Sequence, residues 1–479
     1  MLANIPGKYQ YSIMTKLQNI SELQPELPLS ELNFFSYYQE SFNASLLGKI
    51  HSTLPLHQMA IDFGLIDESR RKRRGRKSYF SPEGKIALMF LRMYTELSAP
   101  KLLEQLNGNV HYQIFCGIAI NPLHPLTNYK IIDDISLELA GKLKIQTLQK
   151  TLADYWKPYM KNLDTLYTDA TCYESLMRFP TDAKLLWECV EKSHAIMCIA
   201  CQNANENRYR TKYSDVAKAR LAYAKKRRRT SQSTHHIILR MLKLLNKILR
   251  KVRSLLRMNY NYLNDRQKRL ISNITKVYCQ QKNHFESKNH KESIKDRVVS
   301  INKPYVRPIV RGKEIKKVEF GAKCNNIQID GISFIEKLSF NAFSEGLRLP
   351  HCISLSKKLF GVEVKKLAGD QGYSSNTNRN FCKEKRIETS FAHKGRVGKD
   401  EDEKKKSRQE LARIRATAME GSFGTQKNHY NLNRVIGRLK VTEILMIFFG
   451  IHTSNVVLLA ERRMAAETGA KKKKVETAA

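Results

Sequence analysis

The chain has 479 residues and a mass of 55.4 kDa, too long for one small module and enough for roughly three domains of about 150 residues. Hydrophobic residues make up 42% and charged residues 27% of it, which supplies material for a core and excludes wholesale disorder. Lys plus Arg number 84 against 45 Asp plus Glu, a formal charge of +39, so a polyanion is the expected partner.

The opening MLANIPGKYQYSIMT lacks the basic segment, apolar core and small-residue cleavage site of a secretory signal, so action inside the cell is expected. Nine cysteines, an odd number without framework spacing, suit reduced thiols. Cys198 and Cys201 form a CIAC pair but lack the second pair of a structural zinc site, and read as buried thiols. The longest late apolar run, Ile444 to Ile451, is eight residues, against roughly 20 for a bilayer span. It reads as a buried helix, with no membrane partner.

Arg70 to Lys77 places seven positive charges in eight residues, a solvated linker or a DNA-contacting arm that includes Arg73 and Arg74. Ser81-Pro82 then signals a helix start, and Ile86, Met89, Phe90 and Met93 follow at helical spacing. Ser98-Ala99-Pro100 opens a second helix, which Asn107-Gly108 closes before a third apolar segment, Val110 to Ile118. Residues 1–157 are therefore expected to hold an all-helical domain with its core at about 78–140. Short helices joined by tight turns suit either a DNA-binding element or an ordinary bundle.

Leu163, Leu166 and Tyr167 lead into Thr168-Asp169-Ala170-Thr171, a β-prone run that delivers an acid. A core domain over 158–460 is expected from here, interrupted by a basic helical insertion at about 200–295. Between Asn207 and Met258 there are 17 Lys or Arg and one acid, Asp215. Ile238, Leu242, Leu245, Leu249, Val252 and Leu256 form an apolar seam in this stretch. Arg227, Arg228 and Arg229, with Arg240, Lys243, Lys247, Arg250, Lys251 and Arg253 on its outward face, can neutralise phosphates or form an ordinary solvated helix face, and with so few acids to pair with, nucleic acid is the favoured reading.

Strand pattern resumes at Val318, Phe320, Ile327 and Ile329, with Asp330-Gly331 as a hairpin turn. Phe334 to Phe343 reads as a helix or a further strand, and Val362 and Val364 alternate as a strand before Leu367-Ala368-Gly369 delivers a second acid, Asp370. Helical sequence runs from about Glu401 to Ala460, and the basic tail 461–479, with Lys471 to Lys474, is expected to lack fixed structure. Asp182 and Asp330 read as turn or capping residues, and His194, His235, His236 and His452 as structural histidines.

Three segments stand out: TDATCYESLMRFPTD (168–182), KLAGDQGYSS (366–375) and MEGSFGTQKNHYNL (419–432). Together they resemble the DDE-type insertion-sequence transposases of bacteria. SPEGKIALMFLRMYTELSAPKLLEQL resembles the family's helical amino-terminal domain, and DRVVSINKPYVRPIVRGKEIKKVEFGAK the stretch leading into its central strands. The likeness spans roughly residues 70 to 460.

That resemblance implies a ribonuclease H-like α/β domain, a mixed sheet with flanking helices. Its three acids are Asp169, Asp370 and Glu420, holding two Mg²⁺ ions for which Mn²⁺ can substitute. It also implies DNA transposition: endonuclease cleavage at the terminal inverted repeats, then joining to double-stranded target DNA. The expected assembly is a homodimer on DNA, in a bacterial cytoplasm beside the nucleoid. Lys427 and Arg413 each lie seven residues from Glu420 on one helical stripe suited to phosphate. Where the family's signature carries an Arg and a Tyr before the Glu, this chain has Ala416 and Arg413, and Arg415 stands nearby. Phosphodiester exchange needs no nucleotide cofactor, and no Walker-type glycine loop is present. Two other readings share these features: a DNA-binding remnant or regulator without catalysis, and a metal-dependent nuclease that cuts without joining.

Overall fold

The computed structural model describes residues 17–19, 34–66, 78–287, 294–310, 318–395 and 401–478. Its amino-terminal part consists of helices α1 (Phe34–Ala44), α2 (Leu46–Ser52), α3 (Leu56–Asp62), α4 (Pro82–Thr95), α5 (Ala99–Gly108), α6 (Val110–Phe115), α7 (Lys130–Lys142) and α8 (Ile145–Trp156). Helix α4 begins where the sequence signals it: Pro82 stands in the first turn, and the Ser81 hydroxyl accepts the Gly84 amide at 2.9 Å. This part is not wholly helical. Strand β1 (Leu17–Asn19) pairs antiparallel with β2 (Ile118–Ile120), because the alternating Ile118 and Ile120 bury as a strand does.

The central mixed sheet is built from β3 (Thr165–Ser175), β4 (Pro308–Val310), β5 (Val318–Ile329), β6 (Ile332–Ser339), β7 (Lys366–Ala368), β8 (Glu388–Thr389) and β9 (Arg434–Val435). Strand β3 is central, antiparallel to β5 and parallel to β7; β6 continues antiparallel beyond β5, and β8 parallel beyond β7. Asp330 (φ 50°) and Gly331 (φ 81°) make the two-residue turn between β5 and β6, the left-handed pair such hairpins require. Of the segment Phe334 to Phe343, residues up to Ser339 are strand, in β6, and the rest lies beyond it. Val362 and Val364 fall outside any strand, since α13 (Leu349–Phe360) runs on to the left-handed Gly361 and β7 starts only at Lys366.

Helices α9 (Asp182–Asn203), α10 (Tyr213–Lys225), α11 (Ser231–Met258) and α12 (Asp265–Glu286) lie between β3 and β4 and enclose an apolar cluster of their own. On α11 the buried stripe is wider than the seam in the sequence, adding Ile237, Met241, Leu244, Ile248 and Leu255, as a helix packed on more than one neighbour requires. Asp182 is neither a turn nor a cap: Thr181 caps α9, while Asp182 accepts from Gln281 of α12 at 2.8 Å and from Arg297 at 2.6 Å.

Helices α14 (Asn376–Glu384), α15 (Glu401–His429) and α16 (Lys440–Ala478) complete the chain. Over Lys440–Glu467, α16 is apolar and long enough to cross a membrane, yet most of it is buried. It packs on α2, α4, α7 and β6. One continuous apolar cluster thus runs from the amino-terminal helices through α16 into the sheet. The tail expected to lack structure continues this helix to Ala478; Ala, Glu and Lys extend a helix whose nucleation is already provided by packing.

Candidate active site

Asp169 sits in the middle of β3, opposite Asn326 of β5, where the β5–β6 register shifts between Asn325 and Asn326. Such irregularities re-aim side chains near sites. On its other side β3 pairs Tyr167 with Ala368 of β7 in parallel. Two residues further along each chain are Asp169 and Asp370, so the sheet register itself sets the two acids side by side. Asp370 ends the extended backbone and caps the short turn Gln371–Tyr373, accepting the Gly372 amide at 2.9 Å.

A third carboxylate joins them, and it is Glu345. Oxygen atoms of Asp169, Glu345 and Asp370 lie within 4.8 Å of one another. All three residues are half-buried. Two cations touch the cluster: Arg415 reaches Asp169 Oδ2 at 2.9 Å and Lys323 reaches Glu345 Oε1 at 2.6 Å. Asp169 also accepts the Ala170 amide at 2.7 Å. The Asp169 carboxyl is raised to about 6: burial pushes it up most, Arg415 and the Ala170 amide oppose this, and the neighbouring Asp370 and Glu345 add to the rise.

Glu420 is exposed and stands outside this cluster. The reason is helical phase. Arg415, Met419, Ser422 and Gln426 form the stripe of α15 that meets the sheet: Met419 is fully buried, Ser422 meets Ser333 at 3.1 Å, and Gln426 accepts from the Tyr173 hydroxyl. Glu420 follows Met419 by one residue, about 100° around the helix, and so faces outward. The contacts of that stripe also sustain the helix through Gly421 and Gly424.

Lys427 lies two turns beyond Glu420 and donates to Thr171 Oγ1 on β3 at 2.9 Å. Arg413 turns away from the acids and pairs with Glu410 at 2.7 Å. Arg227, Arg228 and Arg229 are exposed at the link between α10 and α11, with Arg229 donating to the Ala224 carbonyl at 3.0 Å. Arg73 and Arg74 lie outside the described residues. Tyr373 is buried beneath the second acid, its hydroxyl donating to Asn325. His452 is buried against Trp156, Phe334 and Phe448, and His194 stacks on Tyr213 at 4.0 Å.

Sequence reading missed Glu345. Its only local signal is an acid six residues past the end of a strand, in Ser344-Glu345-Gly346, a setting shared by many turn-forming carboxylates. Three converging carboxylates offer the hard oxygen donors that Mg²⁺ or Mn²⁺ prefers over nitrogen or sulfur, so the donor set fits a divalent ion.

Residues 367–453 match the family model of a transposase DDE domain, and residues 36–133 match the model of a second transposase domain. The first match contains Asp370, Glu420 and Lys427, while Asp169 and Glu345 lie before it. Comparison with curated proteins and with solved structures gave no match.

Proposed function

The chain belongs to the DDE-type insertion-sequence transposases, and from that premise we propose that it cuts the ends of its own mobile element and joins them to target DNA. The observation that carries this reading is the side-by-side placement of Asp169 and Asp370 by the parallel pairing of β3 and β7. The strand order, antiparallel on one side of β3 and parallel on the other, supports a ribonuclease H-like sheet.

Asp169 and Asp370 would hold the divalent ions, two Mg²⁺ in the reading taken from the family, with Glu420 as the third acid that the family assigns. Bound there, the metal supplies Lewis acidity and charge neutralisation at the scissile phosphodiester. Arg415 and Lys427 of α15, which reach Asp169 and Thr171 of β3, would bind the phosphates flanking the cut. Water is the nucleophile in cleavage. In joining, the freed 3′-hydroxyl attacks a target phosphodiester, forming one P–O bond as another breaks, which is why no nucleotide cofactor is called for.

The amino-terminal helices and the basic helices α10 to α12 would bind DNA. Exposed Arg227 to Arg229 would contact phosphates and add affinity without sequence information. Pairing of two element ends calls for two protomers on DNA, inside a bacterial cell.

The test is an excision assay with the gene between its native flanks on a donor plasmid. Wild type is expected to yield empty donor and new insertions, and Asp370→Asn neither. Donor cleavage without insertions would support a nuclease that does not join. DNA binding with no cleavage by the wild type would support the inactive DNA-binding reading.

A further inference from the structure

We infer that Glu345 is a metal-holding carboxylate, and that with Asp169 and Asp370 it forms the ion site of the DNA-free protein. This rests on reading the cluster as the metal site of the transposase. The oxygen atoms of the three residues already lie within 4.8 Å of one another, a spacing over which one cation can be shared by three carboxylates.

The position of Glu345 is built from beneath. Its loop follows β6 and leads through Gly346–Arg348 into α13. Arg348 is anchored to Glu336 of β6 through two guanidinium nitrogens. The Asn378 side chain, 4% exposed on α14, donates both to the Gly346 carbonyl at 2.7 Å and to the Tyr373 carbonyl at 2.8 Å. One buried amide therefore staples the Glu345 loop to the Asp370 loop. The loops approach so closely that a Cβ on Gly346 would stand 2.4 Å from the Gly372 carbonyl oxygen. A turn-forming surface acid needs none of this support.

Charge argues the same way. Three carboxylates so close repel one another unless cations compensate them. Lys323 engages Glu345 from the side of the Phe343 carbonyl, to which it donates at 2.9 Å. A carboxylate has two oxygens and several lone pairs, so Glu345 can accept from Lys323 and still bind an ion. Glu420 faces solvent in the same structure, which leaves Glu345 as the third acid at hand before DNA arrives.

The experiment is Mn²⁺ binding to the DNA-free full-length protein, followed by electron paramagnetic resonance of the free ion. Asp370→Asn and Glu345→Gln are each expected to weaken binding by about ten-fold or more, since affinity follows the number of charged ligands. Glu420→Gln is expected to change it less than about two-fold. Unchanged binding in Glu345→Gln with loss in Asp370→Asn overturns the role of Glu345 alone. Unchanged binding in Asp370→Asn overturns the metal-site reading itself.

A second measurement uses only the wild type, in case a variant misfolds. Fe²⁺ with ascorbate and peroxide cuts the backbone beside a bound ion, and cuts near residues 169, 345 and 370 are expected. Cuts near 169 and 370 without any near 345 overturn the assignment.

Discussion

Asp370 lies beside Asp169 because β7 runs parallel to β3 in the register that pairs Ala368 with Tyr167. The 200 residues between the two acids include α9 to α12, β4 to β6 and α13. Their adjacency depends on sheet pairing, and the raised Asp169 carboxyl records chiefly its burial, to which the nearby Asp370 and Glu345 add.

Stability should record that rise. The folded Asp169 holds its proton up to about pH 6, above the ordinary carboxylate value. Between the two values the native state binds more protons than the unfolded chain, so this group's contribution falls as pH rises from about 4 to about 6. Asp169→Asn cannot ionise and is expected to be more stable than wild type at pH 7.5 by about 3 kcal/mol, and about equal near pH 4. Urea unfolding of the metal-free proteins at both values checks this; a variant no more stable at pH 7.5 contradicts it.

A second buried ion pair holds α16 to the sheet. Glu443 is 1% exposed, paired with Lys303, and accepts the Ser175 hydroxyl of β3 at 2.8 Å. Lys303→Met leaves that carboxylate buried without its cation and is expected to cost about 3–5 kcal/mol. Adding Glu443→Leu should restore most of the loss. Denaturation midpoints of the single and double variants decide it, and an equal loss in both would show that packing, not charge, is at stake.

Gly346 is placed where a side chain does not fit. Gly346→Ala should push the Glu345 and Asp370 loops apart, costing about 1–3 kcal/mol by overpacking, and should weaken Mn²⁺ binding with them. Calorimetric melting combined with the spin-resonance titration tests both effects, and binding unchanged alongside lost stability would separate the loop contact from the ion site.

Arg227, Arg228 and Arg229 stand exposed together. If they contact phosphates, their triple replacement by Ala should reduce the slope of log affinity against log salt by up to about 2.7 for duplex DNA, about 0.9 per contact. Fluorescence anisotropy across a salt series measures the slope, and an unaltered slope with intact folding removes these residues from the interface.

Much of the local structure was legible in the chain. Ser81-Pro82 marked the start of α4, Asp330-Gly331 marked the β5–β6 hairpin, and the apolar spacing of 238–256 marked α11. These signals lie within a few residues of the structure they specify, because caps, turns and amphipathic stripes act over one or two turns of chain. The strand expected at Val362 and Val364 failed for the same reason in reverse. Alternation over three residues is too short to outweigh the left-handed Gly361 that ends α13.

What the sequence by itself determined is several of the elements, the excess of positive charge and two of the acids that meet. The meeting itself was decided by tertiary structure. Glu345 reaches Asp169 and Asp370 only because Asn378 and Gly346 bring two loops together. Glu420 stays outside because Met419, its neighbour in sequence, takes the inward face of α15. A helix presents one stripe to its partner sheet, and which residue falls on that stripe is fixed by packing along the whole element, not by the residue's own chemistry.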